Sequence, residues 1–160
     1  MFLHARIIFA RLRQAGFLAL CVFFLCFGGD AFAAPSVGDM AGQMLLVGFK
    51  GQEPDECGAI LKDIRARRLG GVILFKRDAH DARIPRNIRD AAQVKRLTAA
   101  LRGASEEYPL FIAVDQEGGK VARFQPRDGF PAFPSAADLG RGTPEATRRA
   151  ALGMGQMLKG

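Results

Sequence analysis

The sequence predicts an α/β fold of parallel strands joined by helical crossovers, on three observations. Short apolar runs occur three times, at 44–49, 72–75 and 110–114. The segments between them carry apolar residues at helical spacing. The third run then breaks off into Asp115-Gln116-Glu117-Gly118-Gly119. Buried strands alternating with amphipathic helices specify parallel strands with right-handed crossovers. Polar residues at the C-terminal end of such a strand lie where α/β sheets and barrels build their binding sites. The pattern alone admits an open doubly wound sheet or a (β/α)-barrel. No G-x-G-x-x-G follows the first strand, which counts against a dinucleotide-binding half.

The chain opens with targeting features. Arg6, Arg11 and Arg13 form a positive region, and Phe17 to Phe27 an apolar core too short for a comfortable membrane span. Ala31-Phe32-Ala33 offers the small residues that a signal peptidase requires, so residues 1–33 are expected to be a cleaved signal peptide. Phe24 and Leu25 before Cys26 argue against lipid attachment there. Residues 35–39 read as a short lead-in, followed by the first strand at 44–49. A helix is expected over about 55–68, with Pro54, Asp55 and Glu56 suiting its N-terminal end and Gly70-Gly71 stopping it. Cys57, Ile60, Leu61 and Ile64 form its buried face. The second strand, at 72–75, leads into a long polar loop, 76–87. A helix over about 90–102 then presents Ala91, Val94, Leu97 and Leu101 on one face. Pro109 opens the third strand, whose lack of polar alternation predicts burial on both faces. The segment 115–142, with Pro126, Pro131 and Pro134, reads as irregular. Thr143 is the expected N-cap of a last helix with Pro144 at its first position; Ala150, Met154 and Met157 or Leu158 form its buried face.

Composition is that of a globular protein. The net charge of +7 falls to +5 when Arg6, Arg11, Arg13 and Asp30 leave with the signal segment. The basic residues are scattered, with no aromatic-interleaved stripe, so no nucleic-acid partner is expected. Cys57 is the single cysteine after residue 33, which precludes an internal disulfide in the mature chain and reads as a buried structural thiol. His4 and His80 are the only histidines, and no Cys/His set has metal-ligand spacing. No metal or cofactor is expected.

The chemistry-bearing constellation is the turn after the third apolar run. Ionised carboxylates accept hydrogen bonds from hydroxyls, so Asp115 and Glu117 suit a polyol ligand, with Glu117 the better candidate for supporting the loop. Gly118 and Gly119 let the backbone turn sharply and approach a ligand. From spacing alone, Asp115 serves equally well as a ligand contact or as a turn cap. Arg123, eight residues on, offers a planar fork that can return to the same pocket or stay solvated, and Lys120 carries the same ambiguity.

At these residues the chain resembles a known family. The runs Gly42-Gln43-Met44-Leu45-Leu46-Val47-Gly48-Phe49 and Gly70-Gly71-Val72-Ile73-Leu74-Phe75 are similar to the N-terminal part of family 3 glycoside hydrolases. So are Gln93, the stretch Ile112-Ala113-Val114-Asp115-Gln116-Glu117-Gly118-Gly119-Lys120-Val121-Ala122-Arg123, and Phe133-Pro134-Ser135-Ala136. The similarity is greatest to bacterial β-N-acetylhexosaminidases acting on peptidoglycan sugars. It implies a TIM-type (β/α)8 barrel, of which residues 34–160 carry about three β/α units, an incomplete N-terminal domain. It further implies that Asp115 binds hydroxyls of the sugar in the −1 subsite and that Arg123 holds the same sugar, with Glu117, Gly118, Gly119 and Lys120 supporting. Lys120 stands where the family commonly has Arg, and 76–89 is longer and more charged than the usual loop. The retaining mechanism needs a nucleophile and an acid/base. The family's Asp nucleophile, its mobile-loop His and its Lys-His pair fall beyond residue 160, so no catalytic residue is assigned and His80 is not promoted to one. The expectation is an exported, periplasmic or secreted protein with a carbohydrate partner, inactive as the 160-residue chain. The rival classes are a non-catalytic sugar-binding protein and a non-functional remnant, and β-glucosides are the rival substrates.

Overall fold

A computed structural model describes residues 34–159; the expected signal peptide lies outside them. The order is α1 (Val37–Gln43), β1 (Leu46–Gly48), a 3-10 turn (Pro54–Cys57), α2 (Gly58–Arg67), β2 (Gly71–Leu74) and α3 (Ala91–Gly103). There follow β3 (Phe111–Val114), β4 (Gln116–Gly118), β5 (Val121–Ala122), a second 3-10 turn (Pro126–Asp128), α4 (Ala136–Gly140) and α5 (Pro144–Lys159). β1, β2 and β3 form a parallel sheet in that order, and β4 and β5 an antiparallel hairpin. Sequential parallel strands with a helix in each crossover are the first units of a (β/α)-barrel, as expected.

One face of the sheet carries the core. Val72 and Leu74 of β2 are buried against Ile60 and Ile64 of α2 and Leu97 and Leu101 of α3, with Ile88, Ala104 and Phe124 completing the cluster. Burying a side chain of this size contributes about 1.5–3 kcal/mol. The expected helical faces of α2 and α3 are therefore right except at Ala91, which is exposed at the first turn of α3, and Asp90 caps α3 by accepting from Gln93 N at 2.8 Å. Thr143 caps α5 as expected, its Oγ1 accepting from Ala146 N at 3.2 Å.

Several expectations are corrected. The lead-in is helical: Ser36 and Asp39 close a capping box on α1, a signal present in the sequence. Met44 and Leu45 lie outside β1, because Met44 is spent closing the end of α1. The chain leaves α2 through Arg68, in the left-handed conformation at φ 48°, rather than by a glycine stop. Gly70 instead permits packing, since a Cβ there would stand 2.0 Å from Gln43 O. Burial on both faces holds only for the central strand. β3 has no strand on its outer edge among the described residues, and Phe111 is 76 % exposed. The register aligns Leu46, Gly71 and Phe111 across the open face, where Leu46 is also exposed. The segment 115–142 is built, not irregular, holding the hairpin, a 3-10 turn and α4. The inner face of α5 is only half-buried, at Ala150, Gly153, Met154 and Met157. Among the described residues no helix is long and apolar enough to cross a membrane.

Candidate functional site

The C-terminal ends of the three parallel strands form a polar rim. The hairpin gives the eight-residue spacing between Asp115 and Arg123 its meaning. Gln116 pairs with Ala122 across β4 and β5, so the residues just outside that pair are brought side by side. Arg123 Nη2 donates to Asp115 Oδ2 at 3.2 Å, and both side chains stay partly exposed. Arg123 Nε is buried without a hydrogen-bond partner among the described residues. A half-exposed carboxylate beside a planar cation can accept from one polar group and donate to another on the same small ligand.

Gln116, between the two acids, supports this pair from beneath. Its Oε1 accepts from the backbone of Arg123 and of Phe124, each at 3.0 Å, and its Nε2 donates to Phe124 O at 3.2 Å. Glu117 and Lys120 are exposed beside the turn. Gly118 and Gly119 hold φ of 83° and 58°, a region that favours glycine. What they approach is the chain itself. Gly119 N donates to Phe133 O at 3.0 Å, and a Cβ on Gly118 would stand 2.1 Å from Pro134 O. Their absence of side chains therefore seats the hairpin on 133–135, where a ligand approach was expected.

Two buried amides tie the neighbouring loops to the rim. Asn87 is fully buried; its Oδ1 accepts from Phe75 N at 2.9 Å, and its Nδ2 donates to Phe49 O at 3.2 Å and Gly51 O at 3.0 Å. Gln93, also fully buried, donates from Nε2 to Gln52 O at 2.5 Å and Asn87 O at 3.0 Å, and accepts from Arg89 N at 2.8 Å. Sequence reasoning singled out Gln93 but missed Asn87, which lies in a charged loop without periodicity. It also missed Lys76, buried at the end of β2 and ion-paired with Asp128. Further along this loop, Asp78 lies 3.7 Å from Lys50 and 4.0 Å from Arg86. A hydrogen bond from His80 N, with those cations, holds the Asp78 carboxyl below its ordinary range. His80 itself is exposed. Cys57 is buried as expected, and burial pushes its thiol up to about 11.

Comparison with known proteins places this geometry in context. The model of the glycosyl hydrolase family 3 N terminal domain matches residues 36–158. A beta-hexosaminidase of Bordetella pertussis (strain Tohama I) is 44% identical over 92 residues, covering 54% of this chain and 23% of that protein. One from Xanthomonas oryzae pv. oryzae is 37% identical over 119 residues, covering 72% of this chain and 31% of its own length. A solved family 3 beta-N-acetylglucosaminidase from Paenibacillus sp. superposes with a TM-score of 0.67 at 32% identity, over 79% of this chain and 22% of that one. The beta-N-acetylhexosaminidase of Beutenbergia cavernae gives 0.60 at 27% identity, over 79% and 36%. The chain thus spans 23% to 31% of the length of these two curated relatives.

Proposed function

Because this chain belongs to glycosyl hydrolase family 3, through its N-terminal domain, we propose that its polar rim is the sugar-holding part of an exported β-N-acetylhexosaminidase. The enzyme removes terminal β-N-acetylhexosamine from peptidoglycan-type glycans with retention of configuration. Asp115 accepts hydrogen bonds from ring hydroxyls, and Arg123 donates to the same sugar. Glu117, Gly118, Gly119 and Lys120 shape the turn that carries them. The observation that carries this reading is the pairing of Arg123 with Asp115 at 3.2 Å, directly beyond β3, where barrels of this type place their sites.

Hydrolysis with retention needs a nucleophile and an acid/base on opposite sides of the scissile bond. Asp115 is engaged with Arg123 and holds substrate. The 160-residue chain accordingly binds sugar without cleaving it. Titration with N-acetylglucosamine tests the holding role. Asp115→Ala removes hydrogen bonds to a charged acceptor, worth about 1.5–3 kcal/mol, and should weaken binding by roughly ten- to a hundredfold. Unchanged affinity in that variant refutes the assignment. Incubation with a chromogenic N-acetylglucosaminide tests the second claim: no release is expected, and turnover abolished by Asp115→Ala would overturn it.

A further inference from the structure

Lys76 is the one buried charged residue among the described residues, at 8 % exposure. It lies two residues past the end of β2, and its ammonium is paired with the carboxylate of Asp128, itself largely covered. A buried cation is costly unless paired, and an apolar side chain of similar size would fill the same space more cheaply. Such a pair is better suited to fixing one arrangement of two segments than to raising stability.

The two segments it joins are informative. Asp128 closes the 3-10 turn after the β4–β5 hairpin, five residues beyond Arg123. Phe124, next to Arg123, is buried and stacked on Phe130 with ring centroids 4.4 Å apart, on the far side of that same turn. Gln116 grips the backbone of 123 and 124. The arm carrying Arg123 is therefore held at its base by Gln116 and at its tip by the aromatic stack. Lys76–Asp128 is the ion pair that fastens this tip to the start of the loop after β2, a strand of the parallel sheet.

We propose that Lys76 and Asp128 are a positioning pair for Arg123, setting where its guanidinium lies relative to Asp115 without touching the sugar. The proposal rests on the reading of Arg123 as a sugar contact, and the test separates the two. Backbone amide exchange is followed by NMR in the 160-residue chain and in Lys76→Met, Asp128→Asn, and the charge-reversed double variant Lys76→Asp with Asp128→Lys. N-acetylglucosamine is titrated into each, and into Arg123→Ala. In both single variants the amides of Arg123 and Phe124 should exchange at least tenfold faster while those of Leu97 and Leu101 in α3 keep their rates. Sugar affinity should fall about tenfold, and the reversed pair should recover both. Unchanged exchange at Arg123 and Phe124 overturns the proposal. Equal acceleration throughout α3 also overturns it, because the pair would then serve stability alone. So does unaltered affinity in the single variants when Arg123→Ala abolishes binding. If the unaltered chain takes up no sugar, or Arg123→Ala binds as well as it does, the pocket reading falls instead. The exchange rates then still decide whether the pair holds the arm.

Discussion

Replacing Asn87 with alanine should strongly destabilise this chain. The side chain is fully buried and makes three hydrogen bonds, one accepted from Phe75 N and two donated to the carbonyls of Phe49 and Gly51. Each such bond contributes about 1 kcal/mol net, and a buried N–H left without a partner costs a further 1–3 kcal/mol or so. The expected loss is about 4 kcal/mol, a large part of the stability of an ordinary domain, which is about 5–15 kcal/mol. The chain has no Trp and one Tyr, so urea unfolding followed by far-ultraviolet circular dichroism is the suitable assay. Asn87→Asp sharpens the test. It keeps the acceptor for Phe75 N but turns a carboxylate toward two carbonyl oxygens, and burial disfavours the charged form. Its folded-state pKa is therefore raised, so its stability should improve as the pH falls, opposite to a paired surface carboxylate. A loss below about 1 kcal/mol in the alanine variant, or an aspartate variant that weakens on acidification, would refute this reasoning.

Other outcomes follow from the same geometry. Gly118→Ala must place a Cβ 2.1 Å from Pro134 O at a φ of 83°. Left-handed backbone alone costs an alanine about 1–2 kcal/mol, so a drop of at least 2 kcal/mol or so is expected in the same urea experiment. Gly155→Ala, inside α5 with open space around the new methyl, should stabilise the chain by up to about 1 kcal/mol. The Cys57 thiol is pushed from its ordinary 9.0 up to about 11. The unfolded chain therefore loses its proton first, and stability falls as the pH rises between those values, by about 2–3 kcal/mol in all. Cys57→Ala should remove this alkaline slope in pH-dependent melting. Glu53 is held below its ordinary range first by hydrogen bonds from Arg96 and Arg89. Its contribution is present above that range and lost as the pH falls, so Glu53→Gln should flatten the acid limb of the melting curve.

The strand order and the helix faces were legible in the sequence because each rests on short-range pattern. Apolar runs, 3.6-residue spacing and the Thr143 cap are local signals, and they placed α2, α3, β2 and α5 correctly. The Ser36–Asp39 capping box was equally local and was passed over. The features that escaped depend on contacts distant in sequence. Asn87 binds carbonyls 36 and 38 residues away, and Lys76 pairs with a residue 52 positions on. No composition or periodicity marks such partners. The apolar run of β3 was misleading in the other direction: pattern reports that a strand suits burial, while exposure depends on which neighbours flank it. Phe111 is suited to an interior and stands at an edge.

The rim divides its labour by chemistry. Asn87, Gln93 and Gln116, which hold loop to strand, are neutral amides. Each offers a donor and an acceptor at once, so it can join two backbone segments without burying a net charge. Asp115 and Arg123, paired beside the β4–β5 hairpin, are charged and remain half-exposed, where water meets part of their solvation cost until a ligand replaces it. A sugar, rich in hydroxyls and without charge at its ring, is a ligand that such groups can grip in place of water. Substituting a buried amide should therefore be read first in unfolding, and substituting Asp115 or Arg123 first in binding. The rim stands as a binding site built on a scaffold, and not as a cluster of stabilising ion pairs, only if those two readouts separate.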